Sequence, residues 1–115
     1  MVSAIATVVV RRWLNNLAMS VKEYRPKPLE LADVELSDDL MSLAETMARN
    51  VHEQWAATRI EQGWRYGEER SDSRKEHPCL VPYDELDESE RVYDRNSAIS
   101  TLKLITRLGY NITKR

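Results

Sequence analysis

Cysteine is almost missing from this sequence: Cys79 stands alone, so no intramolecular disulfide can form. A stapled secreted scaffold is thereby excluded, and a reducing compartment is expected. Glycine is scarce as well. Three glycines are too few and too scattered to build a phosphate-cradling loop, and no serine elbow accompanies them. Only two histidines occur, His52 and His77. His52-Glu53 on a helix would begin a zinc-protease motif, but that chemistry needs a second histidine one helical turn on, and position 56 is alanine. An excess of charge of either sign is also lacking. Seventeen basic against nineteen acidic residues leave a net of −2, so no global field draws in a long nucleic acid or an acidic membrane surface. The one conspicuous apolar run, Met1 to Val10, meets Arg11 and Arg12 far short of the roughly 20 residues a membrane span requires. Its charge follows the apolar stretch, the reverse of a secretory signal, and a cytoplasmic protein is expected.

What is present suits one domain, because a chain of 115 residues can bury a substantial single core. Residues 1–22 are expected to form a helical appendage. Ile5, Val8 or Val9, Trp13 and Leu17 fall near helical spacing, although the β-branched run Thr7 to Val10 would also suit a strand. Such a helix covers the core, or uses Trp13 to anchor a partner. Tyr24-Arg25-Pro26-Lys27-Pro28 cannot be helical and reads as a surface linker. Ser37 caps a helix with Asp38 and Asp39 in its first turn. Leu40, Leu43 or Ala44, Met47, Val51, Trp55 and Thr58 then form one apolar stripe, and Gly63 ends it. Asp87 and Glu90 have capping-box spacing and open a second helix. Its apolar positions are Val92 or Tyr93, Ala98 or Ile99, Leu102, Ile105 and Leu108, with a kink expected near Asn96, a stop at Gly109, and Tyr110 to Ile112 folding back. Between the helices, Trp64 to Tyr83 shows no sustained period and is broken by Gly67, Pro78 and Pro82. Ordered loops of this length in small domains tend to be functional.

Most of the residues with distinctive chemistry lie between Asn50 and Tyr83. Asn50, His52, Glu53, Trp55, Arg59, Ile60, Gly63, Trp64, Tyr66 and Gly67 are followed by Arg70, Asp72, Lys75 and the run His77 to Tyr83. Glu90, Tyr93, Asp94, Thr101, Leu102, Lys103, Leu108 and Gly109 complete the pattern. This set of fixed spacings closely resembles the ryanodine receptor (RyR) domain, of the single-copy type found in bacterial and phage proteins. The resemblance covers about Tyr24 to Ile112, and residues 23–115 are read as the RyR domain. One departure stands out: Leu29-Glu30-Leu31-Ala32 replaces the Asp-Thr-Ser usual in the family after the second proline. The fold implied is mainly α: a compact helical domain with two principal antiparallel helices, a long ordered loop and a short β-pair.

The resemblance also implies a non-enzymatic sensor or docking module, since RyR domains of the channels are linked to adenine nucleotides and drug-like ligands. Residue by residue, that carries over to Trp55, Trp64, Tyr66, Arg70, Lys75 and His77. The residue types agree. Base stacking on an aromatic ring contributes about 1–3 kcal/mol, and arginine grips phosphate with two parallel bonds. A small nucleotide-like anion is therefore the expected ligand, with the competing possibility that the aromatics are all core and the domain is a purely structural protein–protein module. Tandem pairing of these domains in the channels suggests a homodimer for a single copy. Two enzymatic ideas carry less: a zinc set from His52, Glu53, His77 and Cys79, and Cys79 as a nucleophile. No cofactor, catalytic group or metal ligand is assigned, and Ser71 and Ser73 are left unassigned as modification sites.

Overall fold

The computed structural model describes residues 23–115, so the expected helix over residues 1–22 and its Trp13 lie outside the described residues. Helix α1 runs Asp38–Glu61. Ser37, in extended geometry, accepts a bond from the Leu40 amide through Oγ at 3.3 Å, and Asp38 and Asp39 oppose the positive end of the helix dipole. The other end closes on Gly63 at φ +95°, a conformation glycine adopts without steric cost. There the Trp64 amide donates to the Arg59 carbonyl at 2.9 Å and Gly63 to Ile60 at 3.0 Å, the paired bonds of a Schellman stop. Helix α2, Glu88–Arg107, ends the same way: Gly109 lies at φ +95°, with Tyr110 bonded to Ile105 and Gly109 to Thr106.

Ala44 of α1 packs with Ala98 and Leu102 of α2, whereas His52 and Trp55 further along α1 share a cleft with Glu90 and Asp94 near the start of α2. Ascending positions on one helix meet descending ones on the other, so the two are antiparallel. Leu36, Leu40, Met47, Ile99 and Ile112 surround the alanine contact, and Ile112 reaches it because the chain folds back after Gly109. A second cluster of Ala48, Tyr83 and Leu86, with Cys79 and Val81 against it, ties the loop to α1.

The buried stripe of α1 differs from the one its apolar spacing suggests. Ala44, Ala48 and His52, at successive intervals of four, are buried, while Val51 is 55% exposed and Thr58 is exposed. Small side chains at the contact let the helices and loop approach closely, so alanine rather than valine takes the inner face. On α2, Leu108 is likewise exposed, because it sits at the stop itself. The capping box is not formed. Asp87 occupies the N-cap without a side-chain bond, and the Glu90 amide bonds instead to the Asp87 carbonyl at 2.9 Å. The helix continues unbroken through Asn96.

The proline segment lies exposed and irregular, and the stretch that follows it is held from α2 by Arg107, which donates to the Glu30 carbonyl at 3.0 Å and to the Asp33 carboxylate. In the long loop, β1 (Arg65–Tyr66) pairs in parallel with β2 (Glu76–His77), Arg65 opposite Glu76 and Tyr66 opposite His77. Ser71 and Glu76 exchange amide–carbonyl bonds of 2.9 Å and close the turn between the strands. A 3-10 turn over Tyr83–Glu85 then leads to α2.

Candidate functional site

Histidine 52 explains how the loop is fastened to α1. It is 4% exposed, and its Nε2 donates to the Val81 carbonyl at 2.7 Å, satisfying a main-chain acceptor that the loop would otherwise bury unpaired. Next to it, Trp55 meets His77 edge to face with ring centroids 5.0 Å apart, and His77 in turn lies 6.3 Å from Trp64. His77 Nδ1 accepts a 3.0 Å bond from the Cys79 amide, which turns the chain at Pro78 and fixes the imidazole plane. The result is a continuous row Trp55–His77–Trp64, built from one helix, β2 and the residue after the helix stop.

Charge is distributed unequally along that row. At the Trp64 end two guanidiniums approach the indole, Arg59 at 4.9 Å and Arg70 at 6.0 Å from the ring centre. Burial, then Arg70 and Arg59, hold His77 below the usual imidazole range, so it is neutral at pH 7. At the Trp55 end a cleft of about 300 Å³ opens between α1, the loop and α2, lined by His52, Trp55, His77, Cys79, Glu90, Tyr93 and Asp94, among others. Burial and the neighbouring Glu90 push the Asp94 carboxyl up, against the opposing influence of His52. Burial followed by Glu90 and Asp87 pushes the Cys79 thiol up.

The six residues singled out from the sequence thus have distinct positions. Trp55, His77 and Trp64 make the row, and Arg70 stands over its end while pairing with Asp72 at 3.0 Å. Tyr66 is opposite His77 in the strand pair with its side chain 53% exposed. Lys75 is engaged elsewhere: its Nζ donates to the Gln62 carbonyl at 2.9 Å and caps the end of α1, from a left-handed backbone at φ 55°. Arg59 was not singled out for binding. It lies five residues before Trp64, and only the sharp stop at Gly63 folds the indole back over its guanidinium. Glu90, Tyr93 and Asp94 were missed as site residues too. Their spacings of three and four place them along one face of α2, a signal visible in sequence but uninformative without knowing what that face meets.

Residues 24–114 match the family model described as RyR domain. The chain belongs to the RyR domain family. Within this RyR domain, the zinc set considered from sequence does not converge: Glu53 is exposed, His52 Nε2 and His77 Nδ1 are already bonded, and no cluster of three or more metal-type ligands occurs among the described residues. Cys79 is kept as a thiol by burial and nearby carboxylates, the opposite of what activates a cysteine nucleophile. No helix among the described residues is long and apolar enough to cross a membrane.

Proposed function

We propose that this RyR domain is a non-enzymatic ligand-sensing module whose ligand is a small nucleotide-like anion. The observation that carries the reading is the placement of Arg59 and Arg70 at one end of the Trp55–His77–Trp64 row. Flat rings beside guanidiniums recognise a base and its phosphate together. Among the described residues Arg59 has no carboxylate partner, whereas Arg70 is held by Asp72 in an exposed pair. Exposed pairs of this kind contribute about 0–1 kcal/mol, so a phosphate displaces Asp72 at little cost. The loop's other arginines, Arg65 and Arg74, share the single carboxylate of Glu76, at 3.8 and 3.1 Å, and among the described residues neither stacks on a ring of the row. Specificity therefore rests on Arg59 and Arg70 rather than on a general basic surface.

A thermal-shift panel of mono-, di- and cyclic nucleotides and dinucleotide cofactors tests this. Ligand at one hundred times its dissociation constant stabilises by about 2.7 kcal/mol, several degrees for a small domain. Arg70→Ala is expected to change the stability of the free protein by under about 0.5 kcal/mol and to remove the shift. A panel without any shift, or a shift that survives Arg70→Ala, overturns the reading.

A further inference from the structure

We propose that the cleft at the opposite end of the aromatic row is a separate site for an organic cation bearing N–H donors, a primary ammonium or guanidinium group on a small molecule. Glu90 and Asp94 stand one turn apart on α2, an arrangement of like charges that weakens a helix. Among the described residues neither has an ion-pair partner, although Glu88, Glu45, Asp84, Glu76, Asp72 and Asp33 all have arginines. Arginine is plentiful nearby: on the same helix Arg91 pairs with Glu88, and Arg95 pairs with Glu45 and reaches Glu88. No lysine or arginine lines the cleft.

The other walls select the kind of cation. Trp55 and Tyr93 both line the cleft, with Tyr93 73% exposed at the rim, and an aromatic ring beside a cation attracts it through its quadrupole, modestly at an exposed position. His52, more than nine-tenths buried, also lines the cleft. Its Nε2 proton is given to Val81, so in the neutral ring Nδ1 is an acceptor, and no hydrogen bond among the described residues occupies it. Two carboxylates and one imidazole nitrogen make an acceptor set, which a metal-free ligand satisfies by donating N–H bonds. A phosphate or carboxylate would meet only repulsion there. The volume of about 300 Å³ admits a small amine with its stem and excludes most of a folded partner.

Titration of butylammonium, agmatine and spermidine into the protein, followed by the Trp55 indole N–H signal at constant ionic strength, tests the site. Saturable binding is expected for at least one amine, weakened about tenfold in Glu90→Gln, the loss of one charge-assisted contact. Glu90 is exposed, and that variant, relieved of the like charge at Asp94, should melt at or slightly above the temperature of the parent. Equal shifts from butanol, equal shifts from added sodium chloride, or an affinity unchanged in Glu90→Gln would each overturn the assignment. The cleft shares Trp55 and His77 with the aromatic row but not its arginines: Arg70→Ala should leave amine binding intact, and Glu90→Gln should leave any nucleotide shift intact.

Discussion

At the scale of single residues, Asp94 shows that some side chains here are not placed for stability. Half-buried and beside Glu90, its carboxyl is raised above the ordinary range, chiefly by desolvation. A raised acid binds its proton more tightly in the folded state. Its ionisation therefore costs stability as pH rises from the unfolded carboxylate range through the folded value, and costs nothing well below that range. Asp94→Asn should raise the melting temperature by a few degrees at pH 7, with the gain disappearing on acidification to about pH 3, below the ordinary carboxylate value of about 3.9. Thermal melts of both proteins across that window measure it, and an equal gain at all pH values would mean that packing rather than charge is responsible. Glu45 has the opposite sign. The Arg95 guanidinium, 2.6 Å away, lowers its carboxyl, so its contribution is present at neutral pH and lost as pH falls through the folded value.

At the scale of elements, the decisive feature is how the long loop is pinned. Gly67 follows β1, and a Cβ there would lie 2.5 Å from the Cβ of Glu76, a contact that no side-chain rotation relieves. Gly63 has ordinary space around it, 3.7 Å to the nearest Lys75 atom, but a backbone at φ +95°. The two glycines are thus required for different reasons. Gly67→Ala should cost about 1–3 kcal/mol by forcing the strand pair apart, and Gly63→Ala about 1 kcal/mol by strain alone. Urea unfolding compares the totals. Amide exchange at Arg65 and Gly67, whose N–H groups bond to Lys75 and His77, should quicken in Gly67→Ala and stay protected in Gly63→Ala. The helices were legible at this scale because their stops are local chemistry: Ser37, Gly63 and Gly109 each act within a few residues of their own position. The inner face of α1 was not, since Val51 is more apolar than Ala48 and only the neighbour's distance makes the smaller residue preferable.

At the scale of the whole molecule, the two-helix frame leaves apolar surface at one end. Met41 and Leu43 are about two-fifths exposed, and Leu43 borders a cleft of about 520 Å³ shared with Leu40 and Ile112. This end of α1 supports the proposal that single copies pair as a two-fold homodimer, the commonest closed assembly. Light scattering at high micromolar concentration should give twice the protomer mass, reduced by a charged substitution such as Leu43→Glu; a monomer under those conditions rules the dimer out.

The sequence by itself determined the family, the two helices and their ends, and the identity of the aromatic and basic residues in the loop. Those features depend on side-chain type, proline and glycine geometry, and spacing over a few residues, all of which are local. Tertiary structure alone decided which residues share a site. It set Arg59 over Trp64 and assigned Lys75 to the end of α1. It also turned Glu90 and Asp94 toward Trp55. The physical reason is that a cleft is made by segments about forty residues apart, so its charge and shape exist only once the Trp64–Tyr83 loop is fastened to α1 through His52 and Tyr83.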